Sequence, residues 1–396
     1  MPPSPAPTPA PEPGAFRLSL LYAVVFVEIG IAMPFMPVWL DALGLDPTVI
    51  GLLLALPIAT RIVATAPLMS LIDRGIGPRS LIVAGSLGLA LTYMLMPAAA
   101  PLGWALLALL TVLNAVAGAP LVPSIDFLTL SAVRARPRLD YARIRMAGSI
   151  AFLAANLAGG ALLGALGGRV AVPLLLTGLA LIACLVAHRS RSVAPPTSTV
   201  PQGPRPRLPL HLWLCIGAAG MIQASHAAIY GFGSIHWTGL GHSTATVGGL
   251  WAVGVVAEIV LFALIGRLPA RWRTPFRLLA LGGTAALVRA LGLYAVGDSL
   301  PALVALQALH GFTFGATQLG AMAAVSGFSP EGARGRAQGT LSAVNATVSA
   351  SATLLSGFAY RSGGALAFAL MAPLALTGLA LAALAARRVR GHTLQP

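Results

Sequence analysis

Twelve apolar runs, each long enough to cross a bilayer, constrain this chain more than any other feature of its sequence. A helical span needs about 20 mostly apolar residues. Runs of that kind fall at 17–40, 49–72, 79–98, 102–133, 143–166, 170–188, 210–237, 245–266, 275–297, 300–328, 335–360 and 364–387. They lack the period-two alternation of barrel strands, so backbone satisfaction in lipid requires helices. Only 9% of the 396 residues are charged, against roughly 25% in a soluble domain. A surface so poor in charge cannot face water. The fold class expected is an all-α integral membrane protein of twelve transmembrane helices in two pseudo-symmetric six-helix bundles.

The formal net charge of +15 comes entirely from arginine. These residues cluster in the breaks between runs, which sets membrane orientation and argues against a nucleic-acid partner. With the N-terminus inside, the inner segments collect nearly all of them, for example Arg134, Arg136, Arg138 and Arg143, or Arg267, Arg271, Arg273 and Arg277. The outer loops hold Arg169 and Arg361. Both termini are therefore expected in the cytoplasm, and the chain in a bacterial inner membrane as a multi-pass monomer. Residues 1–16 form a Pro-rich tail, 17–188 the first bundle, 189–209 a Pro/Ser-rich linker, 210–387 the second bundle and 388–396 a second tail. The two cysteines, Cys184 and Cys215, have no metal-ligand or disulfide spacing. No metal, cofactor or catalytic residue is expected, and the chain is not read as an enzyme.

A shift of 197 residues superposes the halves weakly. Gly44 falls on Gly241, Gly51 on Gly248, Leu53 on Leu250 and Arg74 on Arg271. Duplication explains these matches better than chance. The same shift sets Arg61 opposite Glu258.

Glu28, Arg61, Asp126, Glu258 and Arg289 lie inside apolar runs. Each costs about 2.5–3.5 kcal/mol if it faces lipid, so each must pair, face the interior or line water. Arg145, just inside helix five, completes three acids and three bases. The short loop between helices four and five makes Asp126 and Arg145 the natural pair. Polar stripes run along helix seven (Gln223, His226, Tyr230, Ser234, Trp237), helix ten (Gln307, His310, Thr313, Thr317) and helix eleven (Gln338, Ser342, Asn345, Ser349, Thr353, Ser356). Interhelical hydrogen bonding could account for any one of them. Together with the buried charges they indicate a hydrated central cavity.

The segments ASHAAIYGFGSIHW, GLWAVGVVAEIVLFAL, PLVPSIDFLTL and LDYARIRMAGSIAF resemble the phenylpropionate-permease branch of the major facilitator superfamily. The resemblance implies a proton-coupled uptake carrier working by alternating access, with aromatic acids as cargo. The charges also resemble those of the lactose-permease type of proton symporter. That likeness implies a binding pair in Asp126 and Arg145 with Phe152 as the stacking aromatic, and a coupling group in Glu258, Arg289 and His310. The family's proton-carrying glutamate is replaced here by Thr313, so Glu258 becomes the proton carrier expected first, with Asp126 and Glu28 behind it. DRGIGPR resembles the superfamily's loop signature and implies a gating role for Asp73, Arg74 and Arg79.

The expected function is proton-coupled uptake of a small organic solute, an organic acid being favoured because Arg61 and Arg289 could offer bidentate contacts. Arg61, His226, Tyr230, Trp237, Gln307 and Asn345 join Asp126, Arg145 and Phe152 as candidate substrate contacts. Sugar or nucleoside symport, efflux, and a non-transporting membrane sensor are the other readings left open. Substrate, protons and lipid are the partners implied.

Overall fold

The computed structural model describes residues 14–136, 138–166, 171–189, 207–330 and 333–392. Most of the first expected tail and of the linker, the last four residues of the second tail, and Gly167, Gly168 and Arg169 lie outside the described residues. The described chain is almost wholly helical. Eleven helices are long and apolar enough to span: α1 (Ala15–Ala42), α2 (Pro47–Ile72), α3 (Pro78–Leu102), α4 (Trp104–Val133), α5 (Arg143–Leu166), α6 (Ala171–His188), α7 (Leu210–Gly239), α8 (Thr244–Ile265), α9 (Pro275–Val296), α10 (Leu300–Phe328) and, after one more helix, α12 (Leu366–Val389). The remaining helix, α11 (Arg334–Gly363), runs for 30 residues. Its serines, threonines and Asn345 lower its hydropathy, so length alone marks it as a span.

Punctuation follows the sequence. Pro78 and Pro275 sit in the first turn of α3 and α9, where a missing N–H costs nothing. The Ser243 hydroxyl accepts the Thr246 N–H at 3.1 Å and caps α8. The Asp46 carboxylate accepts the Thr48 N–H at 2.8 Å at the head of α2. Hydrogen bonding from Thr48 first, and the charge of Arg361 at 3.1 Å last, hold Asp46 below the usual carboxylate range. Gly44 and Gly241 both take positive φ, +77° and +88°, a conformation that glycine adopts without strain. The repeat therefore extends to backbone geometry: a left-handed glycine, one residue, then an N-cap, in both halves.

Chain contacts divide the protein into two compact units. One contains Val63–Ala155, the first half of α1 and all of α6. The other contains Met33–Ile62, the end of α5, and α7 onward. Within the second unit glycines bring helices to backbone contact. A Cβ on Gly51 would stand 2.8 Å from the Gly357 Cα, and one on Gly248 or Gly160 would strike the Asn156 or Thr244 carbonyl oxygen. The Thr244 hydroxyl donates to the Gly160 carbonyl at 2.8 Å, across the α8–α5 contact. Outward faces stay apolar. On α3, Leu87, Leu91, Met94 and Leu95 are exposed while Ile82, Leu89 and Tyr93 are buried, as lipid on one side and protein on the other require.

Candidate functional site

The second unit gathers a polar cluster from α7 to α10. Two short π turns shape it, Ile229–Gly233 in α7 and Gly311–Ala316 in α10. Each adds a residue to one turn, a distortion found often at functional sites. Both runs carry two glycines, which let the wider turn form without side-chain crowding. His226 lies three residues before the first turn and His310 directly before the second.

Arg289, only 4% exposed, anchors the cluster. One terminal nitrogen donates to Gln307 Oε1, and the other lies 3.4 Å from His310 Nδ1. Gln307 in turn donates to the Leu250 carbonyl at 3.0 Å. A guanidinium can only donate, so His310 Nδ1 accepts and its proton sits on Nε2. That edge faces Glu258 Oε2 at 4.0 Å. His310 thus stands between Arg289 and Glu258. Among the described residues no carboxylate reaches ion-pair distance of Arg289 itself.

His226 has a fixed tautomer too. Nδ1 lies 2.9 Å from the Gln223 carbonyl, which can only accept. Nε2 therefore accepts, and the Thr313 hydroxyl donates to it at 2.7 Å. Tyr230 stacks on His226 at 5.3 Å, and His310 meets it edge-on at 5.5 Å. Trp251 lies 5.7 Å from Tyr230 and donates from Nε1 to the Ser234 hydroxyl at 2.9 Å. The resemblance grouped Glu258, Arg289 and His310, and the fold does bring them together. It also fills the position of the missing glutamate with a threonine bonded to a second histidine.

The first unit holds the other charged group, and here an expectation fails. Asp126 and Arg145 do not form an ion pair. The Asp126 carboxylate takes the hydroxyls of Tyr22 and of Tyr141, the latter at 2.9 Å. Arg145 instead lies over the rings of Phe26, at 4.2 Å, and Tyr22, at 5.3 Å. Two phenols satisfy the carboxylate and two ring faces attract the cation, so neither needs the other. Glu28 is buried and accepts from the Tyr93 hydroxyl at 2.5 Å.

The remaining expected residues scatter. Arg61 is exposed on α2 and Phe152 half-buried on α5. Asn345 is half-buried beside Gly220, with an unpartnered amide oxygen. Trp237 is fully buried and packs 6.1 Å from Trp251. Arg79 donates to the Ala187 and His188 carbonyls at the end of α6, a cap on that helix terminus. Arg74 is exposed, and the Asp73 side chain lies outside the described residues. Along the stripes on α7 and α10, Gln223, Tyr230 and His310 are half-buried. His226, Ser234, Gln307, Thr313 and Thr317 are all buried, and bonds between helices satisfy His226, Ser234, Gln307 and Thr313. On α11 the stripe runs from exposed Gln338 and Ser342 to buried Thr353 and Ser356.

Tyr22, Phe26, Tyr93, Tyr141, Trp251 and the π turns were not singled out from sequence. Tyr22 and Phe26 stand one helical turn apart on α1, a spacing that could have marked a shared aromatic face.

Comparison with known proteins agrees with this architecture. Residues 15–370 match the model of the MFS_1 like family. The chain is similar to the "Probable 3-phenylpropionic acid transporter" of Escherichia coli (strain K12), at 32% identity over 375 residues, covering 92% of this chain and 96% of that one. Among solved structures it is similar in fold to the nucleoside transporter NupG, with TM-score 0.77 and 14% identity over 94% of this chain and 98% of that one. A bacterial homologue of the human lysosomal transporter Spinster, inward-facing and occupied, gives TM-score 0.75 and 15% identity over 94% and 96%.

Proposed function

Because the chain belongs to the MFS_1 like family and is a membrane transporter of the major facilitator type, we propose that it takes up a small organic acid, an aromatic carboxylate first, together with protons by alternating access. The observation that carries this reading is Arg145. Its guanidinium lies on two aromatic faces with no carboxylate partner among the described residues. A planar cation held by rings presents its N–H edge to an anion and leaves ring surface for an aromatic body. Asp126, whose carboxylate already accepts hydrogen bonds from two phenols, is poorly placed to receive the hydroxyls of a sugar. The name of the Escherichia coli relative points to the same class of cargo.

Glu258 is the proton site in this reading. The Nε2–H of His310 faces it, and His310 cannot gain a second proton without losing its contact to Arg289. A proton on Glu258 and a monocarboxylate on Arg145 add no net charge together. That offsets the cost of carrying an isolated charge through the membrane interior. We place the protein in the inner membrane with both termini inside, as the arginine bias favours.

The test is uptake of labelled 3-phenylpropionate into proteoliposomes under an inward acid gradient. Arg145→Gln should abolish saturable uptake. Glu258→Gln should retain exchange but lose accumulation driven by the gradient. Unchanged uptake in Arg145→Gln, or transport of a neutral sugar or nucleoside in place of the acid, refutes the reading.

A further inference from the structure

Behind the charge cluster, inside the second unit, a small cavity opens between α7, α9, α10 and α12. Ser225, His226, Arg289, Ala290, Thr313 and Met371 are among its walls. Its volume is about 20 Å³. A single water needs about 10–15 Å³ measured this way, so the space suits one particle of water size. An aromatic acid does not fit.

The chemistry of the wall favours a negative particle. Arg289 spends its terminal nitrogens on two neutral acceptors, Gln307 and His310. Its Nε–H is buried with no acceptor. Glu258 stands on the far side of the His310 ring and does not reach the guanidinium. A buried cation without a direct counter-charge is costly, as is a buried donor without an acceptor. Water would satisfy the donor and leave the charge. A monatomic anion would answer both. The Ser225 hydroxyl, which now donates to the Ile222 carbonyl, needs only to rotate to supply a second donor. Ala286 and Ala290 complete the wall with methyl groups, which suit a weakly hydrated halide. We infer that this cavity is a binding site for a single small inorganic anion of chloride size, held by Arg289 Nε–H and distinct from the cargo contacts at Arg145.

The test needs no cargo, so its failure is separable from failure of the transport reading. Purified full-length protein is melted while chloride replaces gluconate at constant ionic strength. A melting temperature rising by about 2 °C at tenfold excess over Kd is expected. Ala290→Val, which fills the cavity, should melt cooperatively and lose the chloride response. Ser225→Ala, which removes a donor and adds no volume, should weaken it and keeps the test open should the valine variant fail to fold. Crystals grown in bromide should show an anomalous peak beside Arg289 Nε. Equal melts in both salts, a response that survives Ala290→Val, or density for water alone would overturn the site.

Discussion

Replacing Gln307 by leucine keeps the volume and removes both of its hydrogen bonds. The buried amide accepts from Arg289 and donates to the Leu250 carbonyl at 3.0 Å. The first bond involves a charged donor and is worth about 1.5–3 kcal/mol, the second about 0.5–1.5 kcal/mol. Leucine offers neither group, so Gln307→Leu should destabilise the fold by about 2–4.5 kcal/mol. For a chain of 396 residues that corresponds to a melting temperature lower by about 2–5 °C. The assay is thermal unfolding of the purified protein followed by tryptophan fluorescence. Gln307→Glu is the companion variant. It loses the donor to Leu250 but gives Arg289 a carboxylate. It should therefore melt above the leucine variant and lose any response to chloride. A leucine variant melting within about 1 °C of the parent would refute the assignment of Gln307 as the acceptor that holds Arg289.

Three further outcomes follow from the geometry. Arg145→Lys keeps the charge but loses the planar fork and its stacking on Phe26 and Tyr22; it should weaken aromatic-acid binding about tenfold or more, measured by calorimetry, and equal affinity would count against the anion contact. Ser234→Ala strips the acceptor from the buried Trp251 indole and should cost about 1–3 kcal/mol; denaturant unfolding reads the loss, and an unchanged midpoint would contradict the bond. Gly357→Val forces α11 away from α2 at Gly51 and should cost about 1–3 kcal/mol by overpacking, with transport falling alongside; wild-type melting and uptake would show that the close approach is dispensable.

The transmembrane architecture was legible because lipid enforces it. Apolar length located every helix within a few residues, and even the polar α11 was found by its run. The repeat was legible at Gly44 and Gly241 because a chain reversal there demands one backbone conformation. Glu258 and Arg289 stood out because a charge in an apolar run must find company, but their grouping with His310 came from the resemblance. Its partners were harder. Asp126 and Arg145 looked like a pair on charge alone, but tyrosine hydroxyls and ring faces compete for both, and tyrosines read as ordinary apolar helix residues. The stripes on α7 and α10 showed which faces are polar. Periodicity does not say whether such a face meets water or another helix. The π turns leave no mark on a hydrophobic pattern, since one extra residue is lost within the tolerance of the count.

Those two π turns set how the chain tolerates changes in length. An α-helix advances 100° per residue, so losing a residue elsewhere in α7 or α10 would swing half of a polar face into lipid. Within Ile229–Gly233 or Gly311–Ala316 the surplus residue can be lost and the turn close to ordinary α geometry, leaving both flanks in register. These are the places in the two helices where a one-residue deletion can be absorbed, and a deletion scan would find them as isolated permissive sites deep in the membrane.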